Sequence, residues 1–125
     1  MNQNVLLVAP PIYDFTAFDF WLKPYGLLNI AGRIDSDRIN FFDFLGAEGK
    51  RPEKEFGVGK FLKQKLDTPP QLKDIPRPYH RFGASRDIFL DFIRAKGPFD
   101  VALIGCGMTY WYPGVAEVIT TLRDI

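Results

Sequence analysis

Two short apolar runs constrain this chain more than any other feature. Val5-Leu6-Leu7-Val8-Ala9 and Val101-Ala102-Leu103-Ile104 are continuously hydrophobic, with no polar residue alternating through them. A strand with one wet face alternates; a short run that does not reads as a strand covered on both faces, as in a parallel sheet between helices. Each run has a clear stop. Pro10-Pro11 lacks the amide hydrogens that would continue a ladder. Gly105-Cys106-Gly107-Met108-Thr109-Tyr110-Trp111-Tyr112 follows the second run as a loop.

Helical patterns fall between and after these runs. Lys23-Pro24-Tyr25-Gly26 opens a helix with a stripe of Leu27, Leu28, Ile30, Ala31 and Ile34, stopped by Asp35-Ser36-Asp37. A short strand at 39–42 ends at Asp43. Ser85 is a good N-cap for a helix over 86–96, whose stripe is Ile88, Phe89, Phe92 and Ile93, and Gly97-Pro98 ends it. Pro113 suits the first turn of a last helix through Val115, Val118, Ile119 and Leu122. The aromatic stretch 12–22, with Tyr13, Phe15, Phe18, Phe20 and Trp21, reads as an ordered loop.

From 46 to 83 the pattern breaks down. Glycines and prolines recur, and most of the lysines lie here. So long a structureless loop is unusual in a compact domain, so the segment reads as an irregular insertion. Phe56, Phe61, Leu62, Leu66, Tyr79 and Phe82 argue against plain disorder, and a short helix over 59–65 is expected. The basic residues are interleaved with Glu48, Glu53, Glu55, Asp67 and Asp74, which suggests a solvated or docking face rather than a nucleic-acid site.

Buried strands alternating with amphipathic helices imply an α/β domain: a Rossmann-like or flavodoxin-like parallel sheet of three or four strands with right-handed crossovers. The 125 residues fit a single domain over 1–125. A three-strand sheet ending in a helix is short, so the domain is expected to be incomplete and part of a longer chain. The net charge of +1 indicates neither a nucleic-acid nor a membrane partner. Val5 to Ala9 is too short for a signal or a span, and a reducing cytoplasm is the expected location.

Ligands of open parallel sheets bind beyond the carboxyl ends of the strands. That places candidate contacts at Pro10, Pro11, Tyr13, Asp43, Gly105, Cys106, Gly107, Met108, Thr109, Tyr110 and Trp111. Glycines permit close approach, Thr109 and the next helix offer donors to an anion, and the aromatics offer flat faces. The combination suggests a cradle for a planar ligand with a phosphate tail. Against it, Gly105-x-Gly107 lacks the third glycine of a dinucleotide fingerprint, and the aromatics would equally seal a sheet edge. Cys106 is the single cysteine and His80 the single histidine. Cys106 reads as a semi-buried free thiol rather than a nucleophile, and His80 as a loop residue rather than an axial metal ligand. Asp43 reads first as a strand-end turn residue and second as a ligand contact. No Walker motif, paired carboxylates or zinc spacing occurs in the sequence.

The string Val5-Leu6-Leu7-Val8-Ala9-Pro10-Pro11, followed by Pro24-Tyr25-Gly26-Leu27-Leu28-Asn29-Ile30-Ala31, resembles the start of radical SAM proteins with a cobalamin-binding domain. Phe41-Phe42-Asp43 resembles their next strand, and Phe99-Asp100-Val101-Ala102-Leu103-Ile104-Gly105 a later one. The resemblance implies a cobalamin-binding-like domain, either binding a corrinoid or serving as a vestigial accessory. Its partner would be the rest of a radical SAM chain, which would hold a [4Fe-4S] cluster and S-adenosylmethionine. Two departures matter. The cluster motif C-x-x-x-C-x-x-C is absent, and Thr16 stands where cobalamin mutases place a lower axial histidine. The domain alone is therefore expected not to catalyse a radical reaction. A cofactor-free docking domain and a standalone nucleotide- or flavin-binding module are the alternatives.

Overall fold

The computed structural model describes residues 2–19, 24–46, 59–60 and 63–125. Their elements are β1 (Val5–Ala9), β2 (Ile12–Asp14), β3 (Phe18–Asp19), α1 (Tyr25–Ala31), β4 (Ile39–Asp43), β5 (Gly59–Lys60), β6 (Lys63–Leu66), β7 (Tyr79–Phe82), α2 (Arg86–Lys96), β8 (Val101–Ile104) and α3 (Tyr112–Arg123). The expectations for Phe20, Trp21, Phe56, Phe61, Leu62 and the stretch 47–58 fall outside the described residues.

β1 is the central strand of a three-stranded parallel sheet in the order β4-β1-β8. Val5 pairs with Ile39 on one side and Val101 on the other. The pleat of β1 divides the core. Val5, Leu7 and Ala9 pack with Leu27 of α1. Leu6 and Val8 pack with Phe42, Phe44, Phe89, Ile93 and Val118, under α2 and α3. Helices therefore cover both faces, which is why β1 needs no polar residue. Val5, Leu6, Leu7 and Val8 are at most 2% exposed, and each contributes about 1.5–3 kcal/mol by leaving water. Phe42 adds an aromatic cluster, with ring centroids 4.8 Å from Phe44, 4.9 Å from Phe89 and 5.1 Å from Phe92.

The amino edge of this sheet is closed by Asn4, which is 2% exposed. Its backbone N–H donates to Asp100 Oδ2 at 2.7 Å, and its side-chain amide donates to the carbonyls of Lys96 and Pro98. Asn40 Nδ2 donates in turn to Asn4 Oδ1 at 2.8 Å.

Several expectations need correction. The stretch expected as a loop after Pro11 contains β2 and β3. β2 pairs with β7, and β7 with β6, in a second, antiparallel sheet ordered β2-β7-β6. The second half of the supposed irregular insertion is therefore ordered, and β7 is buried throughout. The helix expected over 59–65 is replaced, where described, by strands β5 and β6. Lys63 and Lys65 are exposed on β6, at the sheet's outer edge, where charge discourages further pairing. α1 ends at Ala31, so Ile34 lies beyond it, and Leu28 and Ile30 are each 46% exposed. β8 is half-buried, with Val101 38% exposed, because it is an outer strand of its sheet. On α3, Val118 is buried but Ile119 is 40% exposed. Ser85 caps α2 as expected, its Oγ accepting from Ile88 N–H. Among the described residues no helix is long and apolar enough to cross a membrane.

Candidate functional site at the carboxyl edge

The ladder around β1 ends in two hydrogen bonds. Gly105 N–H donates to the Val8 carbonyl and Phe44 N–H to the Ala9 carbonyl, both at 3.0 Å. Beyond them Pro10 and Pro11 offer no amide hydrogens, so the ladder of β1 stops there. Strand order reverses across β1: the chain moves to one side for β4 and to the other for β8. Such a reversal opens a crevice at the carboxyl ends.

A cavity of about 330 Å³ occupies that crevice. Ala9, Pro10, Pro11 and Ile12 line it from the end of β1, and Asp43 and Leu45 from the end of β4. Gly105, Cys106, Gly107 and Trp111 contribute from the loop after β8, and Pro24, Tyr25, Gly26 and Leu27 from the start of α1. Most of this wall is hydrocarbon. Asp43 uses Oδ1 to accept from Leu45 N–H at 3.0 Å, the turn role expected of it. Cys106 Sγ donates to the Met108 carbonyl at 3.0 Å. Cys106 is exposed rather than semi-buried.

Of the residues singled out from sequence, Pro10, Pro11, Asp43, Gly105, Cys106, Gly107 and Trp111 meet at this cavity. Met108, Thr109 and Tyr110 do not line it. They are exposed, and Thr109 and Tyr110 belong to a 3₁₀ turn, Thr109–Trp111. Tyr112, Pro113 and Gly114, the first turn of α3, do not line the cavity either. Gly114 lies so close to the Pro11 carbonyl that an added Cβ would sit 1.9 Å from its oxygen. The anticipated phosphate cradle of Thr109 and helix N–H groups is therefore not part of this cavity.

Tyr13 is turned to a different task. Its hydroxyl donates to Glu117 Oε1 at 2.7 Å, and Arg81 grips the same carboxylate with Nε at 2.6 Å and Nη2 at 2.7 Å. Burial pushes the Glu117 carboxyl up, but hydrogen bonds from Arg81 and Tyr13 outweigh it and hold the acid below its ordinary 4.5. Burial, then the Glu117 carboxylate, pushes the Tyr13 phenol up to about 12. Arg81 is only 8% exposed, so it is not part of a solvated basic face. This clamp ties the antiparallel sheet to α3. From sequence Arg81 falls at the end of the basic cluster expected to be a solvated or docking face, and Glu117 is not singled out. The available signal was Glu117 standing between apolar Val115 and Val118 on one helix.

A second tie lies nearer the cavity: Trp111 Nε1 donates to Asp14 Oδ2 at 2.9 Å. His80 sits in β7, 9% exposed, with Nδ1 3.4 Å from the Phe15 carbonyl. It is a strand residue, not the loop residue expected.

The lining bears on the corrinoid that the resemblance implies. A mostly apolar bed suits a flat ring face. It supplies no nitrogen ligand to a cobalt ion: His80 is absent from the lining, and Thr16 is exposed. Among the described residues no three His, Cys, Asp or Glu side chains converge to hold a metal ion. No protein-family model, curated protein or solved structure matches the chain.

Proposed function

We propose that this is a binding domain, not a catalytic one, which seats one face of a cofactor of the corrinoid class at the carboxyl edge. The sequence resemblance suggests that class, and the remainder of a radical SAM chain is the partner it implies. The observation carrying the reading is the coincidence of the 330 Å³ apolar cavity with the crevice where strand order reverses. The cavity is too small to enclose a corrin ring, so a corrinoid would have to lie across its mouth, against lining residues such as Tyr25 and Trp111. Tyr25 at the rim, 69% exposed, extends the apolar bed outward. Asp43 and Cys106, already engaged locally, orient rather than react.

Hydroxocobalamin mixed with the folded protein is expected to co-elute on gel filtration. Gly105→Val should abolish the retained colour, because even a Cβ there would lie 3.0 Å from Leu27 Cδ1 and both residues line the cavity. A folded wild-type protein that retains no corrinoid overturns the reading. A specific thermal shift with flavin or nucleotide instead would move the assignment to that class.

One observation favours a second reading. Met108, Tyr110 and Tyr112 are 46%, 58% and 68% exposed beside the cavity-lining Trp111. Such a patch suits a docking face for a partner domain.

A further inference from the structure

Trp111 is held from several sides, and the way it is held limits what the cavity can recognise. Its indole N–H donates to Asp14, which does not line the cavity. The side chain's one hydrogen-bond donor is therefore spent outside the cavity, and what Trp111 presents inward is ring carbon. Gly107 lies against the same ring: a Cβ there would be 2.9 Å from Cζ3 and 3.2 Å from Cε3. Trp111 also packs against the cluster of Ile12, Leu45 and Phe82, and Tyr110 meets it edge-on at 6.0 Å.

Asp14 is itself fixed. It lies in β2 opposite His80 of β7, and its other oxygen accepts from Phe15 N–H at 2.7 Å. The adjacent residue, Tyr13, is anchored to Glu117. The antiparallel sheet thus acts as a bracket that holds one wall of a cavity formed at the edge of the parallel sheet.

We infer that Asp14 is a positioning residue for the cavity: it draws the Trp111 N–H outward, leaves a wall of indole carbon, and so selects a flat conjugated ring taken by stacking. The ligand class rests on the binding role proposed above; the positioning of Trp111 does not. Aromatic rings prefer offset or edge-on partners, and a wall without a free donor gives no advantage to a ligand whose recognition needs a hydrogen bond there.

The test uses Trp21→Phe as background, so that Trp111 is the only emitting indole of the two tryptophans. In the ligand-free protein, Asp14→Ala is expected to shift Trp111 emission to the red and to increase its quenching by acrylamide. Asp14→Asn, which keeps an acceptor oxygen, is expected to restore both. Hydroxocobalamin and flavin mononucleotide are then titrated as planar probes. Asp14→Ala should weaken whichever binds by about tenfold, the loss of one charge-assisted hydrogen bond's worth of ordering. In a Trp111→Phe background the same substitution should change binding less than about twofold, because the residue it acts through is gone. Unchanged Trp111 emission in Asp14→Ala overturns the inference, as does an equal loss of binding in the Trp111→Phe background. If neither probe binds wild type, the proposed binding role and the ligand class fall together. The emission series alone then decides whether Asp14 positions Trp111.

Discussion

Among the described glycines, Gly114 has the least room for a side chain. A methyl group there would lie 1.9 Å from the Pro11 oxygen and 3.0 Å from its carbonyl carbon, with no flexible side-chain end to give way. Gly114→Ala must therefore push α3 away from the end of β1. The expected cost is about 3 kcal/mol, at the upper end of what overpacking usually takes, read as a lower urea midpoint. Gly26→Ala is the control. A Cβ at Gly26 meets nothing within 4 Å, and alanine in a helix gains roughly 0.5–1 kcal/mol over glycine. The sequence places both glycines near helix starts and does not distinguish them. Contact with Pro11 is a property of the assembled fold, so no local pattern encodes it.

The same limit shows in the elements. β1, β4, α2 and β8 were legible because each is long enough, or apolar enough, to display a period. β2 has three residues and β7 four, too few for alternation to stand out. Their strand character comes from pairing with each other, not from their own composition. What holds that sheet to α3 is the clamp of Tyr13, Arg81 and Glu117, with side-chain exposures of 10% for Arg81 and 19% for Glu117. Removing one partner strands the other, so Glu117→Ala is expected to cost about 3 kcal/mol, measured by chemical denaturation. The clamp also sets two pH limits. Glu117 has a folded pKa below its ordinary 4.5, so its contribution is present above that value and lost as pH falls through the folded pKa. Tyr13 is raised from 10.0 to about 12, so its contribution is full below pH 10 and is lost between there and about 12. Thermal midpoints should fall at both extremes in wild type. The acid-side slope should flatten in Glu117→Gln, and the alkaline-side slope in Tyr13→Phe.

Across the whole molecule, stability is graded outward from one strand. β1 is hydrogen-bonded on both sides and covered on both faces, whereas β8 has β1 as its strand neighbour on one side and is half-buried. Amide exchange is expected to be slowest at Leu6 and Leu7, faster along β8, and fastest among the strands on β6, whose side chains are exposed at Lys63, Gln64 and Lys65. Equal protection of β6 and β1 in an exchange experiment would contradict this grading. The position of the cavity was legible at this scale, since topology alone sends ligands to the carboxyl edge. The bracket that holds its Trp111 wall was not, because it depends on the second sheet.

The Asn4–Asp100 hydrogen bond joins residues 96 apart in the chain, and β1 pairs with β8 beside it. At translation rates of ~5–20 residues per second, β1 leaves the ribosome roughly 5–20 s before β8 can pair with it. Throughout that interval this buried apolar strand has at least one edge open. Cotranslational chaperone capture is therefore expected to centre on Val5–Ala9 and to be released once α3 closes over it.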